Sequence, residues 1–181
     1  MIITIAGKAG AGKSTVAKII ARKLGFEHYS TGDFMRDMAE DSKIDILELS
    51  KRAEKDRSID EELDRRQIEL GKKEDNFVID GRLSWHFIPD SIKVFIDADF
   101  DVRAKRIYHD SIRKEHNVSL ETAKKNLKKR EDSELKRYRE YYNLNPHEHS
   151  NYDIVVDSSN LDQFQVADKI LEFVKKKGCC M

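Results

Sequence analysis

Four short apolar runs, at residues 2–6, 77–79, 94–96 and 154–156, and a briefer one at 27–29, punctuate the chain. Each is rich in β-branched or aromatic residues and is followed by a polar residue or glycine. That is the pattern of strands buried on both faces of a parallel sheet. Between the first two, Val16, Ile20 and Leu24 recur every fourth residue and Gly25 ends the pattern. This spacing predicts an amphipathic helix closed by a C-terminal glycine. Residues 32–76 are too long for one crossover helix and hold several helical patterns. One of them is expected to open on a capping box, Ser58 with Glu61 three residues later. Residues 98–152 hold two more, the second expected to be capped by Ser119. Strands alternating with helices predict an α/β fold built on a parallel sheet, with two helical insertions.

Glycine is unevenly placed. Three of the eight glycines fall in the stretch GKAGAGKST, residues 7–15, between the first strand and the first helix. Gly7, Gly12, Lys13 and Ser14 satisfy G-x-x-x-x-G-K-[S/T]. At a glycine usage of about 7%, a chance match in a chain this long is roughly one in two hundred. The setting matches the chemistry. Glycines let backbone N–H groups turn inward as an anion-binding nest, and the following helix adds its positive N-terminal end. Residues Gly7, Lys8, Ala9, Gly10, Ala11, Gly12, Lys13, Ser14 and Thr15 are therefore expected to hold the phosphates of ATP. Lys13 would neutralise the β- and γ-phosphates and the Ser14 hydroxyl would help hold Mg2+.

Composition narrows the class. The chain has 181 residues, 39% of them apolar and 38% charged, which suits one globular domain over residues 1–181. Thirty-four basic residues balance thirty-four acidic ones, so no positive field points to nucleic acid. No apolar run approaches membrane-spanning length, and no basic segment precedes the first strand as in a signal peptide. The only cysteines, Cys179 and Cys180, are adjacent, which excludes a disulfide framework and suits a reducing cytoplasm. Gly178 stands where a prenylation box needs its cysteine. His109, His116, His147 and His149 match no structural zinc spacing. The sequon Asn117-Val118-Ser119 has meaning only in a secreted protein.

The chain carries neither a D-x-x-G switch nor an N-K-x-D base reader, so a small kinase is a better class than a GTPase. Residues 29–36, YSTGDFMR, together with the loop resemble the nucleoside monophosphate kinases, where such a segment opens the acceptor-binding region. Adenylate kinases carry almost the same string. Residues 77–86, FVIDGRLSWH, place Asp80, Gly81 and Arg82 where adenylate kinases have Asp-Gly-Phe-Pro-Arg, and the D-G-R version is similar to cytidylate kinases. Residues 130–137, REDSELKR, fit the cytidylate kinase lid pattern through Arg130, Glu131, Glu134 and Arg137. Residues 58–70, SIDEELDRRQIEL, and the lack of the longer bacterial insertion resemble the short, archaeal-type members. The resemblance runs from residue 1 to about 159. Lys8 and Ala9 depart from the prolines and small residues often found there, and the segment NPHEHS, residues 145–150, diverges.

Periodicity gives separate support for the lid. From Ser119, Leu120, Ala123 and Leu127 mark one helical face, and the same spacing continues through Arg130, Glu134, Arg137 and Tyr141. Charge replaces apolar character on an inward stripe, as an anionic ligand would require. An Arg130–Glu134 intrahelical ion pair is the plainer reading of the same spacing.

The resemblance implies a P-loop fold with strand order 2-3-1-4-5, an acceptor-binding region at 32–76 and a lid at about 110–150. It implies transfer of the γ-phosphoryl of ATP to CMP or dCMP, with Mg2+, in a cytoplasmic monomer that binds only small nucleotides. Lys13, Arg130 and Arg137 would be catalytic. Thr31, Asp33, Arg36, Asp80, Gly81, Arg82, Arg130 and Glu134 would bind the acceptor. Arg103 and Arg106 either reach the phosphates or line a solvated face. Gln67 is either a base reader or a satisfied, semi-buried amide. Three rival functions stay open: an adenylate or broad UMP/CMP kinase, a small-metabolite kinase with Asp33 as base, and a nucleotide-binding module without turnover.

Overall fold

The computed structural model describes residues 1–44, 46–109 and 119–178. Five strands, β1 (Ile2–Gly7), β2 (Glu27–Ser30), β3 (Phe77–Asp80), β4 (Ile92–Asp97) and β5 (Ile154–Asp157), form one parallel sheet in the order β2-β3-β1-β4-β5. Both the strands and their order agree with the expectation, β4 extending the expected run by three residues and each of the others by one. The helices are α1 (Lys13–Leu24), α2 (Thr31–Asp41), α3 (Ile46–Ala53), α4 (Arg57–Lys73), α5 (Ser84–Phe87), α6 (Phe100–His109), α7 (Leu120–Tyr142) and α8 (Gln163–Gly178).

Side chains alternate across the central strand and divide the core. Ile3 and Ile5 of β1, with Val94 and Ile96 of β4, pack under α1 and α8 through Val16, Ile20, Val166 and Ile170. On the other face Ala6 and Phe95 meet Leu83 and Trp85. The buried Thr4 hydroxyl of β1 is satisfied by Ser91 Oγ at 2.9 Å. Helix α8, which the reading of the apolar runs did not include, supplies a large share of the first cluster.

Two caps behave as expected. Gly25 ends α1 in the left-handed conformation at φ 68°, and the Ser119 side chain accepts from Thr122 N at the start of α7. The third does not. Asp56, not Ser58, caps α4, its carboxylate accepting from Ser58 N at 3.0 Å and Ser58 Oγ at 2.6 Å. An ionised acceptor two residues upstream takes the orphan amide, and Glu61 pairs with Arg57 at 3.1 Å instead of capping.

Residues 31–73 fold into α2, α3 and α4 on the β2–β3 side, and α7 crosses from α6 toward α4. The lid expectation is described only from residue 119 on. His116, Asn117, Val118, Cys179 and Cys180 lie outside the described residues. The segment 145–150 wraps back over the sheet: the rings of His147 and His149 lie 6.4 and 5.3 Å from that of Phe95, and Tyr152 donates to the Pro146 carbonyl.

Where β1 ends, its backbone runs close against β4. Gly7 has φ 147°, and a Cβ there would stand 2.1 Å from the Ile96 carbonyl oxygen. Gly7→Ala is expected to destabilise the fold by about 4 kcal/mol or more, read from urea unfolding midpoints; an unshifted midpoint would contradict this packing.

Candidate active site

The loop after β1 is fixed by its carbonyls. Arg103 Nη1 donates to Ala9 O at 3.2 Å, and Ser158 Oγ donates to Ala11 O at 3.1 Å. Lys8 O accepts from Ala11 N and from Lys13 Nζ. No described peptide is cis, and in a trans peptide the next N–H points away from the carbonyl. Tying the carbonyls of Ala9 and Ala11 to the protein therefore turns the amides of Gly10 and Gly12 the other way, as an anion nest needs. Gly10 and Gly12 take φ 82° and 91°, and a Cβ on Gly10 would stand 2.7 Å from the Arg103 carbonyl oxygen.

The structure brings together much of the expected set. Lys13 is half-buried, and desolvation, then the Arg82 charge, push its ammonium down to about 7. Ser14 Oγ donates to Asp80 Oδ2 at 2.7 Å. Arg82, just past β3, pairs with Glu134 of α7 at 2.6 Å, and Glu134 also accepts from Arg130 Nε at 2.9 Å. Burial works to raise the Glu134 carboxyl, but Arg82, Arg130 and Lys13 hold it below its ordinary value. The intrahelical Arg130–Glu134 pair thus exists, and Glu134 also joins α7 to the C-terminal end of β3. Thr31 donates to the Asp80 carbonyl at 3.4 Å, and a Cβ on Gly81 would collide with Thr31 and Ser84.

Other residues stand apart from that group. Asp33 and Arg36 pair with each other on α2, both more than half exposed. Among the described residues neither bonds to Lys13, Arg82 or α7. Arg137 faces α4: its Nε lies 3.6 Å from Asp60 Oδ2, and neither atom has a hydrogen bond. Gln67 is buried and satisfied, accepting from Ser84 Oγ at 2.8 Å and donating to Leu63 O. Arg103, only 4% exposed, is no solvated residue. It bonds Ala98 O, Ala9 O and Glu131, so it braces the loop and α7. Arg106 is engaged with Ser158.

Sequence reasoning missed His28, whose Nε2 lies 2.8 Å from Asp80 Oδ1. The signal was available: His28 and Ser30 are polar residues two apart on a strand, so both project from the same face. The donor set also suits Mg2+. Asp80 is 5% exposed, and among the described residues no lysine or arginine pairs with it. A buried carboxylate beside the Ser14 hydroxyl offers hard oxygen ligands to a small dication. Among the described residues no group of three or more His, Cys, Asp or Glu could hold a metal by itself, so phosphate oxygens and water would complete the coordination.

Comparison with known proteins agrees with this layout. The model of the cytidylate kinase-like family matches residues 2–160. The chain belongs to that family. The cytidylate kinase of Methanothermobacter thermautotrophicus is 42% identical over 162 residues, covering 90% of this chain and 98% of the relative. That of Methanocaldococcus jannaschii is 40% identical over 184 residues, covering 97% and 100%. A shikimate kinase from Bacteroides thetaiotaomicron superposes with a TM-score of 0.70 at 16% identity, covering 97% of this chain and 98% of its own. At that identity the likeness concerns the fold alone. The family resemblance carried by the loop, the D-G-R string and the lid pattern is thereby borne out.

In this cytidylate kinase-like chain, α4 and α7 meet along a wall of ionisable groups. Tyr142 donates to Asp64 Oδ2 at 2.6 Å, and Arg57 lies over the Tyr141 ring. Burial raises the Asp64 carboxyl to about 6 from 3.8, the Tyr142 hydrogen bond opposing it in part. Between those values the native state keeps a proton that the unfolded chain loses, so this group lowers stability as pH rises. Asp64→Asn is expected to gain stability over the parent progressively from pH 4 to pH 6, then hold that margin, in urea titrations. Parallel pH curves for the two proteins would refute this.

Proposed function

We propose that the chain transfers the γ-phosphoryl of ATP to the α-phosphate of CMP or dCMP, giving the diphosphate. The carrying observation is the convergence of Arg82 and Arg130 on one carboxylate, Glu134, beside the half-buried Lys13. Such a group suits a site that must hold two anions against their mutual repulsion. A phosphate monoester is mostly dianionic at neutral pH, with a second pKa of about 6, so it attacks without a general base. The work left to the protein is positioning and charge neutralisation.

In this reading the nest and Lys13 hold the donor phosphates. Arg82 and Arg130 accept the charge of the transferring group, and Arg137 approaches from α7. Thr31, Asp33, Arg36 and Gly81 form the acceptor side, with Glu134 turning to the acceptor's sugar or base. Ser14 and Asp80 would hold Mg2+, which supplies charge neutralisation between the phosphates. Asp33 does not suit the role of base for a hydroxyl acceptor, because its carboxylate is held by Arg36 on an exposed face. The carboxylate at Asp80 is placed here on the metal side of the acceptor, a refinement of its expected acceptor role. Among the described residues no helix is long and apolar enough to cross a membrane. We propose that the chain acts as a monomer in the cytoplasm.

With Mg2+-ATP, ADP formation is expected to be fastest with CMP or dCMP, slower with UMP and AMP, and negligible without acceptor. Rates highest with AMP would overturn the acceptor assignment, and a rate indifferent to acceptor would overturn the kinase reading. Lys13→Ala is expected to lower kcat by at least about 100-fold, as loss of an electrostatic contact in the transition state does, while CMP affinity changes little. Arg36→Ala is expected to weaken CMP binding at least 10-fold in direct titration, and unchanged affinity would remove Arg36 from the acceptor site.

A further inference from the structure

Three donors close on one buried carboxylate. Ser14 Oγ donates to Asp80 Oδ2 at 2.7 Å, Ser30 Oγ reaches the same oxygen at 3.4 Å, and His28 Nε2 lies 2.8 Å from Oδ1. The two strands that meet here are in register, Ser30 beside Asp80 and His28 beside Val78. His28 and Ser30 therefore send their side chains to the same face of β2, at its C-terminal end. The His28 side chain is itself largely buried, 14% exposed.

The geometry has a specific use. The last torsion of an aspartate is broad, so a carboxylate held by one hydrogen bond can swing. Ser14 is a hydroxyl that a dication would also claim, and Ser30 is at the limit of hydrogen-bond length. Neither fixes Asp80 once the triphosphate and its metal are bound. The ring N–H of His28 does, because it grips the oxygen that faces away from Ser14. An ionised carboxylate can only accept, so the proton of this contact belongs to Nε2.

We infer that His28 is a positioning residue for the divalent cation that accompanies the triphosphate: it pins Oδ1 of Asp80 so that Oδ2 stays turned toward Ser14 and the metal. The inference rests on the assignment of Ser14 and Asp80 to the metal side. Partners of this kind behind metal-facing groups commonly change metal affinity by about 10- to 100-fold when removed. A merely structural role, joining β2 to β3, would change stability and leave metal linkage alone.

The test is calorimetric titration of ATP in EDTA and in excess Mg2+, which reads metal linkage without turnover. His28→Leu is expected to bind ATP in EDTA within about 2-fold of the parent, yet to lose roughly 10-fold of the affinity gained with Mg2+. His28→Gln, which retains an N–H at a similar reach, is expected to recover most of that gain. CMP affinity is expected to be unchanged in both. Asp80→Asn separates the two layers. If it keeps the full Mg2+ gain, the metal-side assignment fails and the inference falls with it. If Asp80→Asn loses the gain but His28→Leu keeps it, the assignment stands and His28 is only a strand contact. Should His28→Leu not fold, His28→Gln is compared with His28→Asn, whose shorter amide cannot reach Asp80; equal Mg2+ gains in those two would overturn the inference.

Discussion

A trans peptide sends its carbonyl and the next amide in opposite directions, and the donor side of this site depends on that constraint. The loop after β1 is braced from within at the Lys8 carbonyl, by Ala11 N and Lys13 Nζ. The rest of its shape is set from outside, by Arg103 on the Ala9 carbonyl and Ser158 on the Ala11 carbonyl. Both are neighbours only in the folded chain. The Gly10 and Gly12 amides then face the ligand without any ligand being needed to turn them. The tight pass of Gly7 under β4 and of Gly10 against Arg103 leaves room for nothing larger than glycine. Ala9, a departure from the family's usual residues, is buried and contributes its carbonyl, so the departure costs the loop none of its bracing.

On that base an acid stands among the cations and separates them. Glu134 stands between Arg82 and Arg130, close enough to Lys13 to affect it, and mostly out of water. Without it, Arg82 and Lys13 would repel each other in a poorly solvated place. The same side chain that resembles part of a lid motif is therefore also what lets the free protein tolerate its own binding site. Asp80 does a comparable job on the opposite side, as a buried negative charge beside a loop built for anions.

Much of this was legible in the sequence because it is local. The five strands announce themselves as short apolar runs, the loop as glycines at fixed offsets, and one stripe of α7 as a helical period that changes from apolar to charged, although Arg130 on that stripe is 53% exposed. The parts that were not legible come from residues far apart in the chain. Arg103 and Arg106 look like a charged helix face until α6 is seen lying against the loop and Ser158. Gln67 can be a reader or a filler until Ser84 is found beside it, 17 residues on. Even the error at α4 has this character on a smaller scale. Ser58 and Glu61 have the right spacing, but Asp56 takes the Ser58 amide while Arg57 engages Glu61. A spacing rule cannot rank two caps that compete.

Helix α7 has a mechanical consequence that its charges do not suggest. Near its start Lys124 is tied to Asp101 of α6, and at mid-length Glu131 is tied to Arg103, which braces the phosphate loop. Near its end Tyr142 is tied to Asp64 of α4. From Lys124 to Tyr142 a straight helix rises about 27 Å at 1.5 Å per residue. One rod thus spans from α6 and the brace of the loop after β1 to α4, so a displacement at one of these anchors is passed along the helix to the other.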